Sequence, residues 1–95
     1  MKSGIELIAA ERERQISEEG WSASHDDTHR NRQLAQAALA YCEFEAFPHP
    51  TYSGDAPATW PWEIRWWKPD ENPIRNLVKA GALIAAEIDR LQRTQ

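Results

Sequence analysis

Five prolines and a glycine (Pro48, Pro50, Gly54, Pro57, Pro61 and Pro69) lie between Ala46 and Asn72. Proline removes a backbone donor and clashes with the preceding turn, so no continuous helix crosses this stretch. Within it stands Trp60-Pro61-Trp62-Glu63-Ile64-Arg65-Trp66-Trp67-Lys68-Pro69, holding four of the five tryptophans in eight residues. It has neither helical nor clean alternating periodicity. A small domain keeps so long a connection for a reason. The chain is therefore expected to place helices on either side of an aromatic loop.

The flanks meet that expectation. Ser3-Gly4-Ile5-Glu6 has the form of a capping box, and Gly20 supplies a left-handed stop, which predicts a first helix ending at about Glu19. Ile5, Ile8, Ala9, Arg12 and Ile16 recur at helical spacing as its apolar stripe. After a polar loop, Asp26, Asp27 or Thr28 caps a second helix running from about Thr28 to Phe44. Its inward face carries Leu34, Ala37, Ala38, Tyr41 and Phe44. Asn72-Pro73 is a cap followed by proline at the first helical position. The third helix spans Pro73 to about Arg93, with Ile74, Leu77, Val78, Gly81, Ile84, Ala85, Ile88 and Leu91 as its buried stripe. The fold class is all-α: one small three-helix domain, 1–95, with a long Pro/Trp-rich loop between helices two and three. The alanine-rich faces bring little volume, so tryptophans are needed to fill the core, and those faces also suit a homo-oligomer.

Composition excludes several classes. The net charge is -4, with both signs mixed along the chain. No basic stripe serves duplex nucleic acid, and the same composition argues less strongly against a short single strand stacking on tryptophans. No apolar run reaches membrane-spanning length. Met1-Lys2-Ser3-Gly4-Ile5 lacks a secretory signal, and Cys42 stands alone, so a cytoplasmic location is expected. Cys42 has no motif of a nucleophile and reads as a small packing residue. No phosphate loop, dinucleotide fingerprint or serine elbow is present. No catalytic residue, metal site or cofactor is expected.

Three groups offer chemistry. In the aromatic loop, an extended Trp60–Trp62 piece puts both rings on one side, and Trp66 and Trp67 on opposite sides. Some rings then fill the core while others line a pocket, with Lys68 and Arg65 placed for a phosphate. The plainer reading makes all four packing residues. The second group is Gly20-Trp21 with His25, Asp26, Asp27 and His29. Aspartates hold ribose hydroxyls, whereas the plainer reading is helix capping and surface histidines. A zinc site would lack its third ligand. The third is the face Glu11, Arg12, Glu13, Arg14, Gln15, Glu18 and Glu19. Its plainer reading is a solvated salt-bridged surface, and its functional one turns Arg14 and Gln15 toward the Trp21 loop.

These residues carry two resemblances. Arg14-Gln15, Gly20-Trp21, Asp26-Asp27 and His29 resemble the middle of the prokaryotic and phage RyR-type domain, named for the ryanodine-receptor repeat. The match covers roughly a fifth of the chain. Arg30 stands where that family usually has a proline, and WPW…WWKP lies outside the pattern. The resemblance implies a small helical module for nucleotide-derived ligands. The whole chain is also similar to a group of small phage and prophage proteins carrying GW…HDD…WPW…WWKP and a closing LVKAGALI helix, which implies a host-cytoplasmic setting. Glu11-Arg12-Glu13-Arg14-Gln15 and Asn76-Leu77-Val78-Lys79-Ala80-Gly81-Ala82 are similar to short MazG-like nucleotide pyrophosphohydrolases. That family needs a Glu-Glu-x-x-Glu cluster for magnesium. Here the matching region is Asn31-Arg32-Gln33-Leu34-Ala35-Gln36-Ala37, without a carboxylate, and Glu87 with Asp89 does not replace it.

The expected function is non-enzymatic binding of a nucleotide or nucleotide-derived molecule, to sequester or sense it. Trp21, Trp66 and Trp67 would stack, Asp26 or Asp27 would hold a ribose beside His25, and Arg14 and Lys68 would meet phosphate. The alternatives are a protein-interaction module built on the tryptophan loop, and a residual metal-dependent hydrolase.

Overall fold

The computed structural model describes residues 1–20, 32–47 and 56–93. Three helices make up its regular structure: α1 (Gly4–Glu19), α2 (Gln33–Ala46) and α3 (Pro73–Arg93), with a 3-10 turn at Ile64–Trp66. The fold is all-α, as the helical spacing and the proline-rich break predict. α3 is the hub, and α1 and α2 both pack on it. As α1 advances from Ile8 to Glu11, its partners on α3 step back from Gly81 to Arg75, so the two run antiparallel.

The helix ends follow local chemistry. Ser3 accepts from the Glu6 amide at 3.2 Å while the Glu6 carboxylate accepts from the Ser3 amide at 3.0 Å, completing the capping box. Gly20 closes α1 at φ 70°, a conformation that costs glycine no steric strain. Asn72 Oδ1 accepts from the Ile74 amide at 3.0 Å and starts α3. The expected start of the second helix at Thr28 lies outside the described residues. Arg32, at φ 66°, does not continue a helix into Gln33, so α2 begins there.

The core is built on small residues. Leu34, Ala37, Ala38, Ala40 and Tyr41 of α2 meet Ala80, Leu83 and Ala86 of α3, and Trp67 closes the cluster. The alanines let the two backbones approach, and Trp67 supplies the missing volume. Trp60, Trp62, Phe44 and Cys42 pack half-buried around it.

Two expected stripes turn inward only in part. On α3, Val78 is buried, but Ile74, Leu77, Ile84, Ile88 and Leu91 are exposed. Their place inside is taken by Asn76, Ala80, Leu83, Ala86, Glu87 and Arg90. On α1, Ile5 and Ile16 are exposed and Glu11 and Gln15 are buried, while Ile8 and Arg12 of the expected stripe are half-buried, Ile8 against Gly81. The reason is partnering: polar groups bury when ion pairs and amide contacts satisfy them. Glu87 holds Arg90 at 2.6 Å and 3.1 Å through two parallel bonds. Asn76 Nδ2 donates to Glu45 and to the Asp70 carbonyl, while its Oδ1 accepts from the Asp70 amide.

Candidate functional site

The tryptophan segment is fastened to the helices at both ends. Thr59 donates to Glu43 of α2 at 3.0 Å, and Asn76 of α3 holds Asp70. Between these pins, the Trp60 amide donates to the Pro57 carbonyl at 2.9 Å, closing a turn. Trp60 Nε1 donates to the Glu63 carbonyl at 3.1 Å, and the 3-10 turn follows. That turn sends consecutive rings to opposite sides. Trp67 is 8% exposed and lies against Tyr41, with centroids 4.7 Å apart. Trp66 is 54% exposed, with Arg65 and Lys68 over its ring at 5.2 Å and 5.8 Å. Trp60 and Trp62 meet edge to face at 5.2 Å.

Beside this segment lies an open cavity of about 950 Å³, large enough for a small organic ligand. Trp60, Pro61, Trp62, Glu63, Trp66 and Lys68 form one wall, and Glu11, Arg14, Gln15 and Glu19 of α1 form another. Tyr41 of α2, with Arg75, Lys79 and Leu83 of α3, completes it. Four cations and three carboxylates thus line the cavity, a local excess of one positive charge on a chain of net charge -4.

At its α1 end sits one tightly held carboxylate. Glu11 is 3% exposed. Arg14 donates to it from Nε at 2.8 Å and from Nη2 at 2.9 Å, and Arg75 Nη1 donates at 2.6 Å. Gln15 Nε2 adds a fourth bond at 3.1 Å. Burial alone would raise the Glu11 pKa, but the two guanidiniums outweigh it and hold the carboxyl at about 2. Bonding to Glu11 likewise strengthens the hold of Arg14 on its proton. Arg14 also reaches Glu19 at 3.1 Å and Glu18 at 3.6 Å. Gln15 is buried, and its Oε1 has no hydrogen-bond partner among the described residues.

Lys79 enters from α3. Its Nζ donates to the Lys68 carbonyl at 2.9 Å and lies 5.6 Å from the Tyr41 ring centre. Burial, aided by the charge of Arg75, lowers its pKa. Burial also raises the Tyr41 pKa, against a hydrogen bond with the Lys68 backbone.

Of the sequence-derived site residues, Arg14, Trp66 and Lys68 line the cavity. Trp67 does not: its ring is enclosed by Tyr41, Phe44 and Trp60 and is spent on packing. Trp21, His25, Asp26 and Asp27 lie outside the described residues. The face Glu11-Arg14-Gln15 is the cavity's end wall, not a solvated surface. Arg75 and Lys79 were missed because each sits within an apolar helical stretch, where a lone polar residue reads as an ordinary surface group. Tyr41 was expected on the inward face of its helix, where it lies, but only as a packing residue. Among the described residues, no group of three or more His, Cys, Asp and Glu could hold a metal ion, and no helix is long and apolar enough to cross a membrane. No protein-family model, no curated protein and no solved structure matches this chain.

Proposed function

We propose that this chain binds a flat, anionic small molecule, a nucleotide or nucleotide-derived ligand, in the cavity between α1, the tryptophan segment and α3. The observation that carries the reading is the convergence of Arg14, Arg75, Lys79 and Lys68 with three indole rings on one concave surface. Indoles stack on bases of any sequence, and cations at the same opening receive phosphate. The half-buried Lys79 is the main anion contact, because a phosphate restores the solvation that burial removes. Trp62 and Trp66 take the base.

Binding without turnover fits the electrostatics. A carboxylate held at about 2 by two arginines is a poor general base near neutral pH. Sequestering or sensing the ligand is the role such a site would serve.

Tryptophan fluorescence and thermal shift with ATP, ADP-ribose and cyclic dinucleotides test the reading. Saturable quenching and a raised Tm are expected, since a ligand at 100 times its Kd adds about 2.7 kcal/mol. Lys79→Ala should weaken binding about tenfold or more while the helical signal is kept. No response to any of these ligands at millimolar concentration would overturn it. The exposed pair Ile64 and Trp66 would then favour a protein partner on the tryptophan segment.

A further inference from the structure

The outward side of α3 is apolar where a monomer would put charge. Ile74, Leu77, Gly81, Ile84, Ile88 and Leu91 repeat at alternating intervals of three and four, the spacing of a helix–helix seam. None of the five large residues is buried. Between Leu77 and Ile88 the only charged residues are Lys79 and Glu87. Both turn inward: Lys79 lines the cavity and Glu87 is buried against Arg90. A helix with an apolar stripe buries that stripe against a partner. Here α1 and α2 cover only part of it.

The bare surface continues onto α1. At Gly81 the Ile8 side chain occupies the space that a Cβ would take, so α1 covers the seam at that one position and borders the exposed residues on either side of it. Ile5 and Ile16, at 83% and 40% exposure, extend the patch. Seven isoleucine and leucine side chains at about half exposure leave on the order of 600 Å² of apolar surface in water. That is the upper end for a monomer's largest patch. It approaches the roughly 800 Å² per partner of a stable interface.

We propose that this face is covered by a second copy of the chain, forming a homodimer about a twofold axis. The area and the chemistry of the patch decide the occupant. An interface without charge on its central helix suits an identical apolar surface, and a twofold axis lets one face serve both partners. The alanine-rich face, by contrast, is consumed inside each chain between α2 and α3. About 100° per residue separates successive side chains on α3, so the seam lies opposite Arg75, Lys79 and Leu83. Dimerisation therefore leaves both cavities open.

Sedimentation equilibrium of the full chain, from micromolar to 0.5 mM, tests this. Twice the chain mass of 10.9 kDa is expected for the wild type. The Leu77→Glu/Ile88→Glu variant is expected at the single-chain mass with its helical circular dichroism kept, because neither side chain is buried within the chain. Leu39→Glu, on exposed α2 surface, should stay dimeric. Should the double variant unfold, Leu77→Gln must still weaken association at least tenfold. A wild type at single-chain mass at 0.5 mM overturns the proposal. So does a double variant, or a Leu77→Gln variant, that associates like the wild type. A monomeric wild type that pellets with phosphatidylglycerol vesicles would overturn it in favour of a lipid surface.

Discussion

Glu11→Gln separates the two roles of the cavity's end wall. The change keeps shape and removes the charge that three hydrogen bonds from Arg14 and Arg75 share. Glu11 falls from 4.5 to about 2 on folding. At about 1.4 kcal/mol per unit that corresponds to roughly 3 kcal/mol, and water on the cavity side trims it to about 2. Because the folded pKa is the depressed one, this stability is fully present above about pH 5 and is lost as pH falls toward 2. The variant should therefore melt about 10 °C lower at pH 7, at roughly 4–8 °C per kcal/mol for a domain of this size. The gap should nearly close by pH 2, where about half of the wild-type Glu11 is protonated and the charge no longer favours the folded state by more than a few tenths of a kcal/mol. Removing the charge also raises the cavity's positive excess, so anion affinity at pH 7 should increase severalfold. Urea melts from pH 2 to pH 7 and a nucleotide titration provide both readings. A stability gap that stays constant with pH, or one below about 0.5 kcal/mol at pH 7, would refute the electrostatic account.

The two adjacent tryptophans should part company. Trp67→Ala should cost about 3–5 kcal/mol in chemical denaturation, and Trp66→Ala under about 1 kcal/mol while weakening nucleotide binding. Asn76→Asp places a carboxylate beside Glu45 and loses the donor to the Asp70 carbonyl, so it should destabilise by about 3 kcal/mol, measured by thermal melting. Gly81→Ala gains up to about 1 kcal/mol of helix propensity but collides with Ile8. A net loss of about 1 kcal/mol is expected, with recovery when Ile8→Val is added.

The helix ends were readable because each depends on a few adjacent residues. Ser3 and Glu6, Gly20, and Asn72 with Pro73 set the start of α1, its end and the start of α3. The alternation of Trp66 and Trp67 was also legible, as successive side chains in an extended or tightly turned segment diverge. Which of the pair turns inward was not, since that depends on Tyr41 and Phe44 arriving from elsewhere in the chain. The cavity was half visible. Lys68 sits in a recognisable aromatic run and Arg14 on a recognisable charged helix face, whereas Arg75 reaches Glu11 across 64 positions of sequence and no local pattern encodes that distance.

The misassigned stripes share one cause. Periodicity identifies the widest apolar surface on a helix, and the usual inference sends that surface into the chain's own core. Here each inward face contains enough partnered polarity to be buried. Glu11 is satisfied by Arg14, Arg75 and Gln15, Asn76 by Glu45 and Asp70, and Glu87 by Arg90. The alanines between them allow close packing without bulk. Ile5 and Ile16 of α1 and Ile74, Ile84 and Ile88 of α3 are left on the surface, where the proposed dimer would use them. A hydrophobic stripe alone therefore does not place a helix face in the chain's own core, because partnered polar groups opposite it can make the other face the buried one.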